Sequence, residues 1–188
     1  MFAHMALVFT ASCLEDSISL FRYYQTLAEK AMAQVSDEDL FVELDAESNS
    51  IAIVVKHIAG NMRSRWTDFL ITDGEKPDRN RDSEFVAPAQ SRAELLSVWH
   101  NAWSVLYAAL EPLTDADLSR TVTIRGEAHS VTQAIHRQLA HYAYHIGQIV
   151  YLSRHFAAAG GSGWTSLSVP RRASAEFNRK VQAGEASQ

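Results

Sequence analysis

The chain has 188 residues, of which 47% are hydrophobic and 21% charged. This length and composition describe one globular domain, or at most two small ones, with enough chain to build a core. A single cysteine, Cys13, excludes an internal disulfide framework and a Cys-rich zinc site, and a net charge of -5 argues against a phosphate-binding surface for nucleic acid. No uncharged apolar run reaches the roughly 18 residues of a membrane-spanning helix, so neither nucleic acid nor membrane is an expected partner, and the expected location is cytoplasmic.

Met1 to Ser12 is apolar and ends Ala11-Ser12-Cys13, similar to a lipoprotein cleavage site. No Lys or Arg precedes Arg22, however, so residues 1–13 read as a flexible lead-in. The first helical pattern runs from about Leu14 to Val35, with Ile18, Phe21, Tyr24, Ala28 and Ala31 spaced by three or four. The second starts near Asn49 or Ser50, both good N-caps, and continues to Leu70, with Gly74 as a left-handed stop. A third spans Ser91 to Leu110, opened by the capping-box spacing of Ser91 and Glu94. Thr121-Val122-Thr123-Ile124 then predicts a strand or one arm of a hairpin. The fourth helix runs from about Ser130 to Phe156, with Ser130 and Gln133 repeating the capping box and a Gly-Ser run beginning at Gly160 ending it.

These elements predict an all-α four-helix bundle over residues 14–178 with a small β-hairpin before the last helix, and a disordered tail at 179–188. The charged segment Asp73 to Gln90, with Arg79, Arg81, Glu84 and Phe85, reads first as a solvated connector; the alternative is a functional loop over the site, from which Arg79 or Arg81 would reach a substrate. The stretch from Trp164 onward reads as an extended tail covering core. Cys13 reads as a buried, inert thiol.

His141 and His145 lie at i and i+4, so both imidazoles leave the same face of the fourth helix. His57 sits mid-helix in the apolar run Ile51 to Ala59. In a bundle, a histidine of the second helix can meet a pair on the fourth. Three neutral histidines hold a metal ion with at least one open position. The alternative is three separate core or boundary histidines, each bonded to a carbonyl or water. His136 lies about 140° round the helix from His141, and His155 roughly 21 Å along it, so neither joins the group.

Missing motifs narrow the chemistry. The segment His141-Tyr142-Ala143-Tyr144-His145 lacks the glutamate of a metalloprotease helix, and no Glu-x-x-His exists for a di-iron bundle. The glycine run after the fourth helix has no following Lys-Ser or Lys-Thr, and no Gly-x-Ser-x-Gly elbow occurs.

The blocks Asn49 to Leu70, Thr72 to Pro77, Arg79 to Phe85, His141 to Ile149 and Trp164 to Ser168, with Pro170-Arg171 and Phe177-Asn178, resemble the DinB/YfiT-like superfamily. More narrowly they resemble a subfamily catalogued as a domain of unknown function. The resemblance implies a four-helix bundle, commonly a homodimer, with a divalent metal held by His57, His141 and His145. It also implies relatives that are metal-dependent transferases and isomerases using low-molecular-weight thiols such as bacillithiol, mycothiol or glutathione. The expected ion is zinc or nickel, with manganese or iron as alternatives, since imidazole suits several metals. Two roles stay open: a metal-dependent transferase or hydrolase acting on a small-molecule substrate, or a non-catalytic, metal-stabilised dimeric stress-response module. Spacing adds Asn61, one turn after His57, Arg137, one turn before His141, and Gln148, three beyond His145, as candidates to orient a ligand or contact substrate.

Overall fold

Four serines open the four long helices. Ser12, Ser50, Ser91 and Ser130 each accept a hydrogen bond at Oγ from the backbone N–H three residues on, at 3.1–3.2 Å. Each satisfies a donor that the first helical turn leaves without a partner. The helices are α1 (Cys13–Met32), α2 (Ile51–Trp66), α3 (Arg92–Leu110) and α4 (Val131–Ala159). At α4 the box is reciprocal, because the Gln133 side chain accepts from the Ser130 N–H at 2.8 Å. The computed structural model describes residues 10–86, 91–160 and 163–185.

One aromatic ring from each long helix meets in the middle of the core. Phe21 of α1 packs against Trp66 of α2, Trp103 of α3 and Tyr142 of α4, with centroid separations of 6.4, 6.3 and 5.8 Å. All four are at most 1% exposed. Burying side chains of this size contributes on the order of 1.5–3 kcal/mol each, so this cluster sets how the helices align. α2 lies mainly against α3 and α1 against α4, while the α2–α4 seam carries the histidines.

Between α3 and α4, strands β1 (Thr121–Ile124) and β2 (Glu127–Ser130) form the expected antiparallel hairpin, pairing Thr121 with Ser130 and Ile124 with Glu127. The turn residues Arg125 and Gly126 both have positive φ, 55° and 78°. Two such residues make the turn whose twist matches the strands. Val122 and Ile124 point inward and are buried, which docks the hairpin on the bundle. The Asp73 carboxylate accepts from the N–H groups of Arg125 and Gly126, both at 2.8 Å. The turn is therefore held by a residue from a distant part of the chain.

Several elements differ from the sequence expectation. α2 ends at Trp66 rather than Leu70, because Thr67 is extended and Asp68 takes a left-handed conformation at φ 48°. A short polar side chain tolerates that region. Gly74 is not a left-handed stop. It packs under Arg65, where an added Cβ would lie 2.7 Å from Nη1, and its N–H donates to Thr123 O. Cys13 is exposed rather than buried, since it starts α1.

Of the lead-in, residues 1–9 lie outside the described residues. Past α4, Trp164 and Leu167 are half-buried against the core, and Thr165 exchanges two hydrogen bonds with the Gln34 side chain. A short helix, α5 (Ser174–Gln182), then runs across the boundary expected at residue 178. No helix among the described residues is long and apolar enough to cross a membrane.

Candidate metal centre

His57 lies in the second turn of α2, in a largely buried stretch of that helix, and is itself 3% exposed. His145 is buried and His141 half-buried on the facing side of α4. The two helices bring the three rings together. His141 Nε2 lies 3.1 Å from His145 Nε2 and 3.4 Å from His57 Nε2. One nitrogen from each ring falls within 4.8 Å of the other two. Two imidazoles bound to one tetrahedral ion at 2.0–2.1 Å place their nitrogens about 3.4 Å apart. The two shorter edges thus match the spacing of a shared ion. Among the described residues this is the one His, Cys, Asp or Glu group so arranged.

The second ring nitrogens show which face each imidazole turns to the centre. His57 Nδ1 is 2.8 Å from Glu84 Oε2, and an ionised carboxylate only accepts. That nitrogen carries a proton, so in the neutral ring Nε2 is the one left with the lone pair. His145 Nδ1 is 2.8 Å from Gln148 Oε1, with the same consequence. Two lone pairs therefore point toward His141 Nε2, which has at most one proton to offer. A cluster of acceptors short of donors fits a cation at its middle.

Burial disfavours the charged form of the two α4 rings. Burial pushes the His141 pKa down to about 3, helped by the charges of His145 and His57 and then by Arg79 and Arg65. His145 is also lowered, by burial first, against an opposing bond from Gln148 and with added pressure from His57 and Arg81. For Glu84, burial alone would raise the pKa. The hydrogen bonds from His57 and Arg79 outweigh it and hold the carboxylate below its ordinary value.

Of the neighbours expected from spacing, only Gln148 touches a histidine. Asn61 is buried, but its Oδ1 accepts from the Tyr142 hydroxyl at 3.1 Å, so it ties α2 to α4 instead of an imidazole. Arg137 is exposed, and no hydrogen bond or ion pair joins it to the three histidines. Its charge is felt by Arg65. His136 is exposed, and His155 packs on Phe156 away from the centre.

The segment expected to be a solvated connector walls the site. Residues Asp82–Phe85 form one 3-10 turn, in which Glu84 is buried and the Phe85 ring lies 4.7 Å from the His57 ring at an interplanar angle of 30°. Arg79 grips Glu84 with Nε–Oε1 at 2.8 Å and Nη2–Oε2 at 2.9 Å, and its side chain is 5% exposed. Residues 87–90 of this segment lie outside the described residues. The role of Glu84, and its pairing with Arg79, escape sequence reasoning because charged residues without periodicity look the same in a loose loop and in a buried ion pair. The long aperiodic stretch between two helices was the available signal.

A bundle with three inward histidines, two on the last long helix and one on the second, is the arrangement that the DinB/YfiT-like resemblance implies. A crystal structure of a DinB-like protein from Bacillus cereus ATCC 10987 superposes with a TM-score of 0.61 at 18% identity. The match covers 78% of this chain and 92% of that one, and it shows a common fold. Residues 8–173 match the model of the DUF1572 family, described as protein of unknown function, and the chain belongs to that family. No curated protein matches the sequence significantly.

Proposed function

We propose that the protein is a divalent-metal-dependent enzyme in which His57, His141 and His145 hold the ion and leave positions open for a small-molecule substrate. The observation that carries this reading is the convergence of three imidazole Nε2 atoms, two of them with their protons committed elsewhere. A zinc or nickel ion there would act as a Lewis acid and favour the deprotonated form of a bound thiol or water. Manganese and iron are alternatives within the same ligand set.

The surrounding residues favour an anionic guest. The charges of Arg65, Arg79 and Arg81 all reach the histidines. Arg79 is committed to Glu84 and Glu75, whereas Arg81 is exposed and stacks on Phe85 with its guanidinium carbon 4.9 Å from the ring centroid. Tyr144, 61% exposed beside the His145 ring, adds a hydroxyl on the same side. A low-molecular-weight thiol carrying a carboxylate suits such a mouth, which makes attack of its sulfur on an electrophile the favoured reaction. A C–S bond forms as the electrophile's leaving group departs, and the thiol proton passes to solvent. The ligand set itself contains no acid or base, and no residue is assigned that role.

The test starts from protein purified without a histidine tag and analysed for bound metal. The loaded protein is then assayed against panels of thiols paired with electrophiles, with and without chelator. Thiol-dependent turnover that chelator abolishes and zinc or nickel restores supports the reading. Stoichiometric metal with no turnover leaves the metal-stabilised module as the function, and no bound metal after loading overturns both.

A further inference from the structure

We propose that Glu84 is the positioning residue of the metal centre, reaching across α2 through the gap at Gly60 to set the tautomer and aim of His57. This rests on the reading of the three histidines as a metal site. His145 takes its second-nitrogen partner, Gln148, from three residues along its own helix, half exposed. His57 takes its partner from a different segment, and that partner is buried.

The route of the Glu84 side chain explains a glycine in the middle of α2. An added Cβ at Gly60 would lie 2.7 Å from Glu84 Cδ and closer still to Oε1. Glycine inside a helix is unfavourable relative to alanine, so here it serves the close approach. The turn bearing Glu84 is pinned on the same helix by Lys56, whose Nζ donates to Ser83 O at 2.6 Å and to Val86 O. Lys56 and His57 are adjacent in sequence, so one helical turn holds both the backbone and the carboxylate of the segment.

Arg79 gives the carboxylate its function. Gripped through both oxygens, Glu84 is held as a hydrogen-bond acceptor for Nδ1 instead of swinging toward the centre. Arg79 Nη1 also contacts Glu75 Oε2 at 3.1 Å, and Arg125 Nε meets the same oxygen at 3.3 Å. The chain of pairs His57, Glu84, Arg79, Glu75 and Arg125 runs from the centre to the hairpin turn. Occupancy of the centre and order of residues 79–86 are therefore coupled, and the coupling is reciprocal.

The experiment compares full-length wild type, Glu84→Gln, Glu84→Ala and Gly60→Ala. Zinc affinity is measured by competition with a chromophoric chelator, and the cobalt(II) visible spectrum reports ligand geometry. Glu84→Ala is expected to lose about 10–100-fold in zinc affinity, with an altered cobalt spectrum. Glu84→Gln keeps an acceptor without the charge and is expected to fall between that variant and wild type. Gly60→Ala retains Glu84 but blocks its position, and is expected to follow Glu84→Ala. It decides the matter if Glu84→Ala fails to fold. Zinc protection of amides 79–86 from hydrogen exchange in wild type, lost in Glu84→Ala, also supports the coupling. Wild-type affinity and an unchanged cobalt spectrum in both Glu84→Ala and Gly60→Ala overturn the proposal while leaving the metal centre intact. A wild type that binds no zinc overturns the metal reading itself.

Discussion

The Tyr142 hydroxyl donates to Asn61 Oδ1 at 3.1 Å, fastening α4 to α2 beside the histidines that both helices carry. The Tyr142 hydroxyl oxygen in turn accepts from Trp66 Nε1 at 3.2 Å, so one buried hydroxyl serves two partners on the opposite helix. Burial drives the Tyr142 pKa upward, consistent with a permanently neutral structural hydroxyl. Tyr142→Phe leaves the Asn61 oxygen and the Trp66 N–H buried without their partner. The expected cost is about 1–3 kcal/mol in urea denaturation. Asn61→Ala should cost a similar amount, and the double variant less than their sum, because both remove the same bond. Additive losses would mean that the two residues act separately.

Zinc should stabilise the folded chain by binding at the three histidines. At free zinc 100-fold above its dissociation constant, the expected gain is about 2.7 kcal/mol, read as a rise in melting temperature that chelator reverses. His57→Ala, His141→Ala and His145→Ala should each flatten that rise, whereas His136→Ala, on an exposed part of α4, should leave it intact. A zinc-dependent rise that survives all three alanine variants would place the ion elsewhere.

Two helical glycines should respond oppositely to alanine. Nothing lies within 4 Å of a Cβ added at Gly147 of α4, so Gly147→Ala should stabilise by about 0.5–1 kcal/mol through the backbone alone. Gly60→Ala gains the same propensity but displaces Glu84 from Arg79 and His57, and should come out destabilised. Thermal denaturation of the two variants side by side reads the difference in sign.

Acid should weaken the hairpin through Asp73. Its carboxyl is held below the usual carboxylate range by the N–H groups of Glu75 and Gly126, then by that of Arg125 and the Arg65 charge, against slight burial. A carboxyl depressed in the folded state adds stability above its unfolded pKa of about 4 and loses it as pH falls through the folded value. Urea denaturation of wild type and Asp73→Asn should therefore differ by a constant amount near neutral pH. The two should converge below about pH 4. Parallel stability curves down to pH 2 would show that the charge contributes nothing.

The fold was legible because its signals are local. Four serine caps, apolar residues at helical spacing and a β-branched run before Arg125-Gly126 each act over a few residues of chain. The pair His141 and His145 was equally legible, since helix geometry alone puts i and i+4 on one face. Spacing could not say which polar neighbours turn inward. Arg137 shares the approximate face of His141 yet is exposed, and Asn61 shares that of His57 yet binds Tyr142.

By itself, then, the sequence determined the bundle, the hairpin and the three candidate ligands, because periodicity and capping are properties of short stretches. Only the tertiary structure decided that His57 faces His141 across the α2–α4 seam, since that depends on how the Phe21, Trp66, Trp103 and Tyr142 rings settle together. It alone turned Arg79, Glu84 and Phe85 from an aperiodic connector into a wall of the site. Their partners His57 and Gly60 lie more than a dozen residues away in the chain, and contacts over that separation leave no local pattern to read.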